Sequence, residues 1–176
     1  MRRDYSEMIN YIKGDLLEAD CDIICHQVNC QGVMGSGVAR QVRERWPQVF
    51  EEYQAYCKEC NPLGHCLLVP VETTNRIAYV ANLFGQDKYG YDGKVYTSYE
   101  AFAYALADLK DTIHHETGLK FAFPHKIASD RGGADWERIY EIIETILKYD
   151  DVYIYYLNDD VLTEEDKKRI EKREVH

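Results

Sequence analysis

The 176-residue chain contains no continuous apolar run approaching 18 residues and no pattern typical of a signal peptide. A membrane-spanning helix needs an apolar run of roughly 20 residues, and a secreted chain begins with such a signal. Internal repeats, low-complexity segments and linkers are also missing. We therefore expect a soluble, cytoplasmic protein with no membrane partner, built mainly as one domain.

Positive charge is scarce as well. The chain has 21 Lys and Arg residues against 31 Asp and Glu residues, for a net charge of −10. A surface that binds nucleic acid in general needs a basic stripe, so this class of function is excluded. A local basic cluster remains at Arg40, Arg43 and Arg45.

Six short runs rich in β-branched and aromatic residues predict strands, and four amphipathic stretches between them predict helices. The predicted strands are 8–12, 23–28, 67–71, 77–83, 119–123 and 152–157, and the predicted helices are 37–46, 47–57, 99–115 and 135–148. Strands that alternate with helices are typical of an α/β fold whose sheet is covered on both faces. Residues 1–160 form the predicted domain, and 161–176 a charged, loosely docked C-terminal helix or tail.

The most informative segment is a glycine-rich loop between the second predicted strand and a helix. Gly35, Ser36, Gly37 and Val38 leave backbone N–H groups bare at a helix N-terminus, where the helix dipole favours an anion. The spacing matches neither the dinucleotide fingerprint nor the P-loop, because no Gly-Lys-Ser/Thr sequence follows. The loop therefore predicts a phosphate or diphosphate ligand, bound by a less common route.

A second strand–loop–helix unit spans residues 123–136. Gly132 and Gly133 allow the backbone to approach an anion, and Asp135 suits the N-cap of the following helix. Two such loops at one edge of a sheet can clamp a diphosphate from both sides. Asp130, within the loop, can orient a water molecule or a ribose hydroxyl, or can be an ordinary exposed turn residue.

Three further polar residues follow or end predicted strands. Asp15 can accept a hydrogen bond from an adenine amino group, although a Gly-Asp step is also a common turn. The amide of Asn29 can bind a sugar hydroxyl or cap the turn in which it lies. His26 can be a core histidine or a general acid/base, since its charge changes near neutral pH.

The strand that ends near Asn82 supplies candidates for the rim of the pocket. Asn82 or Gln86 can line the rim, and Phe84 can cover a sugar or a base. The alternative for all three is an ordinary loop at a strand end.

Cysteine and histidine residues cluster at Cys57, Cys60, His65 and Cys66. Four soft ligands within ten residues can close a tetrahedral zinc site. However, the first two end a predicted helix and the last two precede a strand, so free thiols are the favoured interpretation.

Together, these motifs resemble the macrodomain, an ADP-ribose-binding α/β/α module. The resemblance runs from Lys13 to Leu157, and it implies a three-layer α/β/α sandwich with a mixed central sheet. Gly14-Asp15-Leu16 is similar to the family motif whose aspartate binds adenine. Residues 26–29 stand where many members have Asn-Ala-Ala-Asn, residues 35–39 resemble the first phosphate loop, and residues 127–136 resemble the second.

The branch of the family bears on the function. A histidine before Val-Asn, together with the Ala-Asn-Leu-Phe-Gly-Gln strand end, resembles the branch with the yeast ADP-ribose 1″-phosphate phosphatase and the terminal ADP-ribose glycohydrolases. The glycohydrolases use a lysine where Leu83 and Phe84 stand here, and a loop aspartate where Gly132 stands. A covalent lysyl–sugar mechanism is therefore unsupported. Ala128 and Asp130 also replace glycines that are usual in the second loop.

The resemblance implies binding of ADP-ribose or a derivative, recognition of an ADP-ribosylated macromolecule, and hydrolysis of a group from the distal ribose. The alternatives are a reader without chemistry and a binder of another NAD-derived nucleotide. Neither a cofactor nor a metal is expected. The implied catalytic residues are His26, Asn29 and Asp130. The implied ligand-binding residues are Gly14, Asp15, Leu16, Asn29, Gly35, Ser36, Gly37, Val38, Ala128, Ser129, Arg131, Gly132 and Gly133.

Overall fold

The computed structural model describes residues 9–175, and its centre is a six-stranded mixed sheet. The strands, in the order in which they lie across the sheet, are β1 (Ile9–Lys13), β6 (Asp151–Tyr156), β5 (Lys120–Pro124), β2 (Ile23–Val28), β4 (Ile77–Phe84) and β3 (Cys66–Glu72). β3 pairs antiparallel with β4, and the other neighbouring strands pair in parallel. The carboxyl ends of five strands therefore meet at one edge of the sheet.

Helices cover both faces of this sheet and enclose two separate cores. The helices are α1 (Gly37–Arg45), α2 (Pro47–Glu59), α3 (Tyr99–Thr112), α4 (Trp136–Ile146) and α5 (Glu164–Val175). Val42 of α1 and Tyr53 of α2 pack with Ile24 of β2 on one face, whereas Leu106 of α3 and Ile139 of α4 lie in the core on the other face. This confirms the predicted three-layer α/β/α sandwich with a mixed sheet.

Local sequence signals place the helices as predicted. Pro47 occupies the first turn of α2, where its missing N–H costs nothing. The side chain of Ser98 accepts a hydrogen bond from Ala101 N at 3.1 Å, and that of Asp135 accepts one from Glu137 N at 3.0 Å. The predicted strand start at Met8 lies outside the described residues.

The C-terminal helix α5 is fixed to the domain by a buried carboxylate. Asp166 is 0% exposed, although α5 is strongly charged along its length. Its carboxylate accepts hydrogen bonds from the Tyr11 hydroxyl and from His125 Nε2, both at 2.6 Å, and from Trp136 Nε1 at 3.1 Å. The expectation of a loosely docked helix is therefore wrong. The division of the chain at residues 160/161 stays a prediction.

None of the helices in residues 9–175 is both long enough and apolar enough to span a bilayer. The six cysteines are free thiols in this part of the chain, with Cys21 and Cys25 buried. Within the same residues no group of three or more His, Cys, Asp or Glu side chains could hold a metal ion. His65 Nδ1 lies 3.8 Å from Asp108, and Asp108 also accepts a hydrogen bond from Cys66 N at 2.9 Å.

Candidate ADP-ribose site

A cleft of about 890 Å³, including its open mouth, lies at the carboxyl ends of β2, β4 and β5. Its walls come from three loops, residues 29–39, 86–91 and 124–132. Ligands of α/β proteins bind where loops diverge at this edge of the sheet. Both predicted glycine loops therefore face one cavity.

The first loop is folded around the side chain of Asn29. Its Nδ2 donates to Val33 O at 2.8 Å, and its Oδ1 accepts from Gln31 N at 2.9 Å. The hydroxyl of Tyr53 lies 2.7 Å from Asn29 O and 2.8 Å from Oδ1, and it accepts a bond from Val33 N at 3.1 Å. Asn29 thus caps its own turn while lining the cleft, and Tyr53 holds that turn from α2.

The first loop ends at the N-terminus of α1, where Gly35, Ser36 and Gly37 line the cleft. Ser36 takes the N-cap position but its side chain makes no capping bond. Gly37 has a φ of +58°, a conformation that glycine adopts without a steric penalty. These features leave backbone donors and the positive end of the helix dipole available to an anion.

The second loop is held in an unusual backbone conformation. Lys126 and Ala128 have φ values of +60° and +66°, which are uncommon for residues with a Cβ. Such residues cost about 1–3 kcal/mol each and persist where the surroundings fix them. Ala128 O accepts bonds from Thr97 Oγ1 at 2.7 Å and from Ala134 N at 3.1 Å. The loop is therefore fixed in its curved form.

Gln27 ties all three walls of the cleft together. Its Nε2 donates to Gln86 Oε1 at 2.8 Å and to Thr97 Oγ1 at 2.9 Å, and Thr97 in turn reaches Ala128. Gly132 fills the space beside this network, since a Cβ there would collide with Thr97 Oγ1 and Ala128 O. The position therefore requires glycine for its size.

His26 and Asn82 form a buried polar pair on neighbouring strands. His26 is 1% exposed and Asn82 is 0% exposed, and His26 Nε2 lies 2.6 Å from Asn82 Oδ1. Burial lowers the pKa of His26 to about 4, against the opposing effect of the hydrogen bond to Asn82. The imidazole is therefore neutral at pH 7.

The charged groups that line the cleft lie on the second loop. Lys126, Asp130 and Arg131 all line the cavity, and the side chains of Asp130 and Arg131 are exposed. The guanidinium of Arg131 stands 5.0 Å from the ring centroid of Tyr91, across the mouth of the cleft. Two cations and one carboxylate thus surround a cavity in a protein of strongly negative charge.

The residues after β1 lie at the same sheet edge but outside the cleft wall. Asp15 is exposed, and its Oδ1 caps a short 3-10 helix (Leu16–Glu18) by accepting from Leu17 N at 3.0 Å. The side chain of Leu16 is buried in the core between the sheet and α2. Gly14 lies beside the ring of Tyr155. Asp15 therefore has a turn-forming role, and its other carboxylate oxygen accepts no bond from the described residues.

Comparison with known proteins agrees with this geometry. Residues 25–143, which include both glycine loops, match the Macro domain family. This chain is a macrodomain. It is 30% identical over 175 residues to the ADP-ribose 1″-phosphate phosphatase of Scheffersomyces stipitis, covering 85% of this chain and 99% of that protein. It is also 30% identical over 135 residues to the DNA ADP-ribosyl glycohydrolase of Mycobacterium tuberculosis.

That second match covers 75% of the macrodomain described here and 36% of the glycohydrolase, so the chain spans about a third of that relative. Among solved structures, the macrodomain of Mycobacterium tuberculosis DarG superposes with a TM-score of 0.73 at 27% identity. That superposition covers 85% of this chain and 98% of the other. The predicted family and the predicted fold are both confirmed.

The macrodomain cleft gathers most of the residues named from the sequence, but not all of them. Those that line it are His26, Asn29, Gly35, Ser36, Gly37, Val38, Ala128, Asp130, Arg131 and Gly132. Those outside its wall are Gly14, Asp15, Leu16, Ser129 and Gly133. Their roles in binding, and the catalytic roles, stay predictions. Gln86 lies at the rim as expected, whereas Asn82 is buried and Phe84 packs in the core between Tyr53 and Tyr56.

Sequence reasoning missed several residues of the macrodomain cleft. Gln27, Tyr89, Tyr91, His125 and Lys126 all line it. The position of Lys126, three residues after a predicted strand and next to the second loop, was the signal available for it. The tyrosines lie on the loop between β4 and α3, whose path the sequence does not reveal.

Proposed function

We propose that this macrodomain binds ADP-ribose and hydrolyses a bond at the distal ribose, with ADP-ribose 1″-phosphate or an ADP-ribosyl adduct as the substrate. The observation that carries the proposal is the meeting of two glycine-containing loops across one cleft. The first supplies the N-terminus of α1, and the second supplies Lys126 and Arg131. Backbone donors, a helix dipole and two cations are the groups that a diphosphate requires.

The ligand would lie along the edge of the sheet. In this arrangement Asp15 accepts a bond from the adenine amino group, and the glycine loops hold the diphosphate. Asn29, which lines the cleft, positions the distal ribose. The two relatives named for ADP-ribose 1″-phosphate hydrolysis and DNA ADP-ribosyl hydrolysis support a scissile bond at the distal ribose.

The chemical step would be the attack of water at the bond between the distal ribose and the group it carries, at phosphorus in ADP-ribose 1″-phosphate and at C1″ in an ADP-ribosyl adduct. Asp130 supports this step, because its exposed carboxylate lines the cleft and makes no ion pair with the other described residues. For ADP-ribose 1″-phosphate, water would add and the products would be ADP-ribose and phosphate. The cations of Lys126 and Arg131 would stabilise the negative charge of the phosphate group that is released.

Binding is tested first by calorimetric titration with ADP-ribose of the wild type and of Asp15→Ala. Loss of a hydrogen bond to a carboxylate costs roughly 1.5–3 kcal/mol, so we expect binding roughly 10- to 100-fold weaker in the variant. Glu116→Ala, an exposed carboxylate at the opposite edge of the sheet, is the control and should bind as the wild type does. Wild-type protein that binds no ADP-ribose would refute the proposal.

Turnover separates the hydrolase from the second candidate, a reader that binds without chemistry. The reader is favoured by one observation. Where the glycohydrolases have a catalytic lysine, this chain has Leu83 and Phe84, and both of these are buried in the core. ADP-ribose 1″-phosphate and DNA- and protein-linked ADP-ribose should be offered to the wild type and to Asp130→Asn. We expect one class of substrate to be cleaved, and at least ten-fold more slowly by the variant. Binding without turnover across the panel would establish the reader.

A further inference from the structure

The buried pair of His26 and Asn82 has a defined place in the sheet. β2 and β4 are parallel, and their register sets His26 directly beside Asn82. β3 and β4 are antiparallel, and their register sets Leu67 opposite Asn82 on the other side. The three residues form a row across the sheet with Asn82 in the middle. A buried polar pair within a sheet costs stability unless its hydrogen bonds are made.

The backbone carbonyl of Leu67, at one end of this row, determines which atoms donate and which accept in its hydrogen bonds. Leu67 contributes a backbone carbonyl, which can only accept, and Asn82 Nδ2 lies 3.0 Å from it. Asn82 therefore turns its Oδ1, an acceptor, towards His26. His26 must then donate from Nε2, so in the neutral ring the proton is on Nε2 and Nδ1 carries a lone pair.

Nδ1 of His26 is buried, and no group within residues 9–175 donates a hydrogen bond to it. His26 also forms part of the cleft wall. Buried polar atoms without a partner are rare in folded proteins, and each one calls for an explanation. An acceptor left unpaired in the wall of a ligand cleft is explained by a donor that arrives with the ligand.

We infer that Asn82 is a positioning residue that holds His26 with Nδ1 as a hydrogen-bond acceptor for an O–H group in the cleft. This inference rests on the proposed function and adds the role of His26 to it. The O–H belongs to the distal ribose or to the attacking water, which are both donors of the same kind.

The other groups that could bind the same O–H group lie across the cleft. The charged or titratable residues lining the same cavity on the loop after β5 are His125, Lys126, Asp130 and Arg131. Burial keeps the His26 ring neutral, as described above, and so leaves the Nδ1 lone pair available at physiological pH.

The first test is nitrogen NMR of the histidine rings in the 176-residue chain. We expect the His26 spectrum to show a protonated Nε2 and a bare Nδ1 near pH 7, and the Nδ1 resonance to shift when ADP-ribose is added. A proton on Nδ1 would overturn the inference. This measurement on the unliganded protein holds even if ADP-ribose does not bind, so it is independent of the proposed function.

Two matched variants then separate the ring nitrogens. His26→Gln places an amide near the position of Nε2, where it can still donate to Asn82, but nothing at Nδ1. His26→Asn places an amide oxygen near Nδ1 and leaves Asn82 without its donor. We expect His26→Gln to lose about ten-fold in ADP-ribose affinity if the ribose is the donor, or in turnover alone if the donor is water. His26→Asn should lose less by the same measure.

A purely structural histidine predicts the reverse, with His26→Gln close to the wild type and His26→Asn impaired. That result, or equal losses in both variants, would overturn the inference while leaving ADP-ribose binding by the wild type intact. Asn82→Leu provides a third readout: once the fixed acceptor is removed, the NMR spectrum should show a mixture of both ring tautomers. An unchanged single tautomer in that variant would show that Asn82 does not position the ring.

Discussion

Replacement of Asp166 by alanine is expected to destabilise the whole domain. The carboxylate is fully buried and accepts hydrogen bonds from Tyr11, His125 and Trp136, and a fourth from Thr163 N at 2.8 Å. Removing one member of a buried, hydrogen-bonded cluster costs about 3–5 kcal/mol, because the stranded donors stay buried. For a domain of this size about 1 kcal/mol corresponds to roughly 2–4 °C, so Tm should fall by roughly 6–20 °C.

Calorimetric melting of Asp166→Ala and Glu165→Ala checks this expectation. Glu165 is the exposed neighbour of Asp166, and its one ion pair within residues 9–175 is with Lys168, at 3.3 Å, so its removal should cost less than about 1 kcal/mol. If both variants melt within about 2 °C of each other, the buried cluster contributes little and the reasoning fails. Such a result would also favour a dispensable helix after residue 160.

The same cluster predicts a dependence on pH. Burial alone would raise the pKa of Asp166, but the bonds from His125, Tyr11, Thr163 and Trp136 outweigh it and hold that pKa well below its usual range. The contribution of Asp166 is therefore complete above about pH 4, the pKa of an aspartate in the unfolded chain, and is lost as the pH falls further. Urea unfolding between pH 2 and pH 6 should show that the free energy of unfolding falls more steeply with decreasing pH in the wild type than in Asp166→Ala.

Three further changes test other parts of the structure. His26 binds a proton near pH 6.5 in the unfolded chain but only near pH 4 in the folded protein. Urea unfolding should therefore show the free energy of unfolding falling by about 3 kcal/mol as the pH is lowered from 6.5 to 4, and His26→Gln should remove that fall. Equal slopes in both proteins would contradict the burial of the neutral ring. Tyr53→Phe removes the hydroxyl that holds the turn at Asn29, and should lower stability by about 1–3 kcal/mol and weaken ADP-ribose binding, whereas the exposed Tyr104→Phe should do neither. Gly132→Ala forces a Cβ against Thr97 and Ala128, and should cost about 1–3 kcal/mol in thermal melting; an unchanged Tm would mean that the second loop is looser than its contacts indicate.

The parts of the fold that the sequence predicted are those governed by local signals. Runs of β-branched, aromatic and other apolar residues marked β2 and β4, Pro47 and Asp135 marked helix starts, and glycines marked the two loops. Because parallel strands end at one edge, the meeting of both loops in one cleft also followed. These features depend on residues close together in the chain.

The parts that could not be predicted depend on contacts between distant segments. His26 and Asn82 are 56 positions apart and meet only because β2 and β4 pair in one register. Nothing in the charged stretch around Asp166 distinguishes the one carboxylate that becomes buried. The side chain of Asn29 fitted two roles equally from the sequence, and only the positions of Val33 and Tyr53 show the turn-forming one.

The contact between Tyr11 and Asp166 also bears on how the chain folds. These two residues are 155 positions apart, and Asp166 simultaneously contacts His125, which lines the cleft. Contacts between such distant positions close large loops and slow folding, since the entropy of closure is lost before the contact forms. We therefore expect strand β1 and the His125 side of the cleft to reach their final arrangement late, together with the docking of α5. The nucleotide cleft should be among the last parts of the molecule to become ordered.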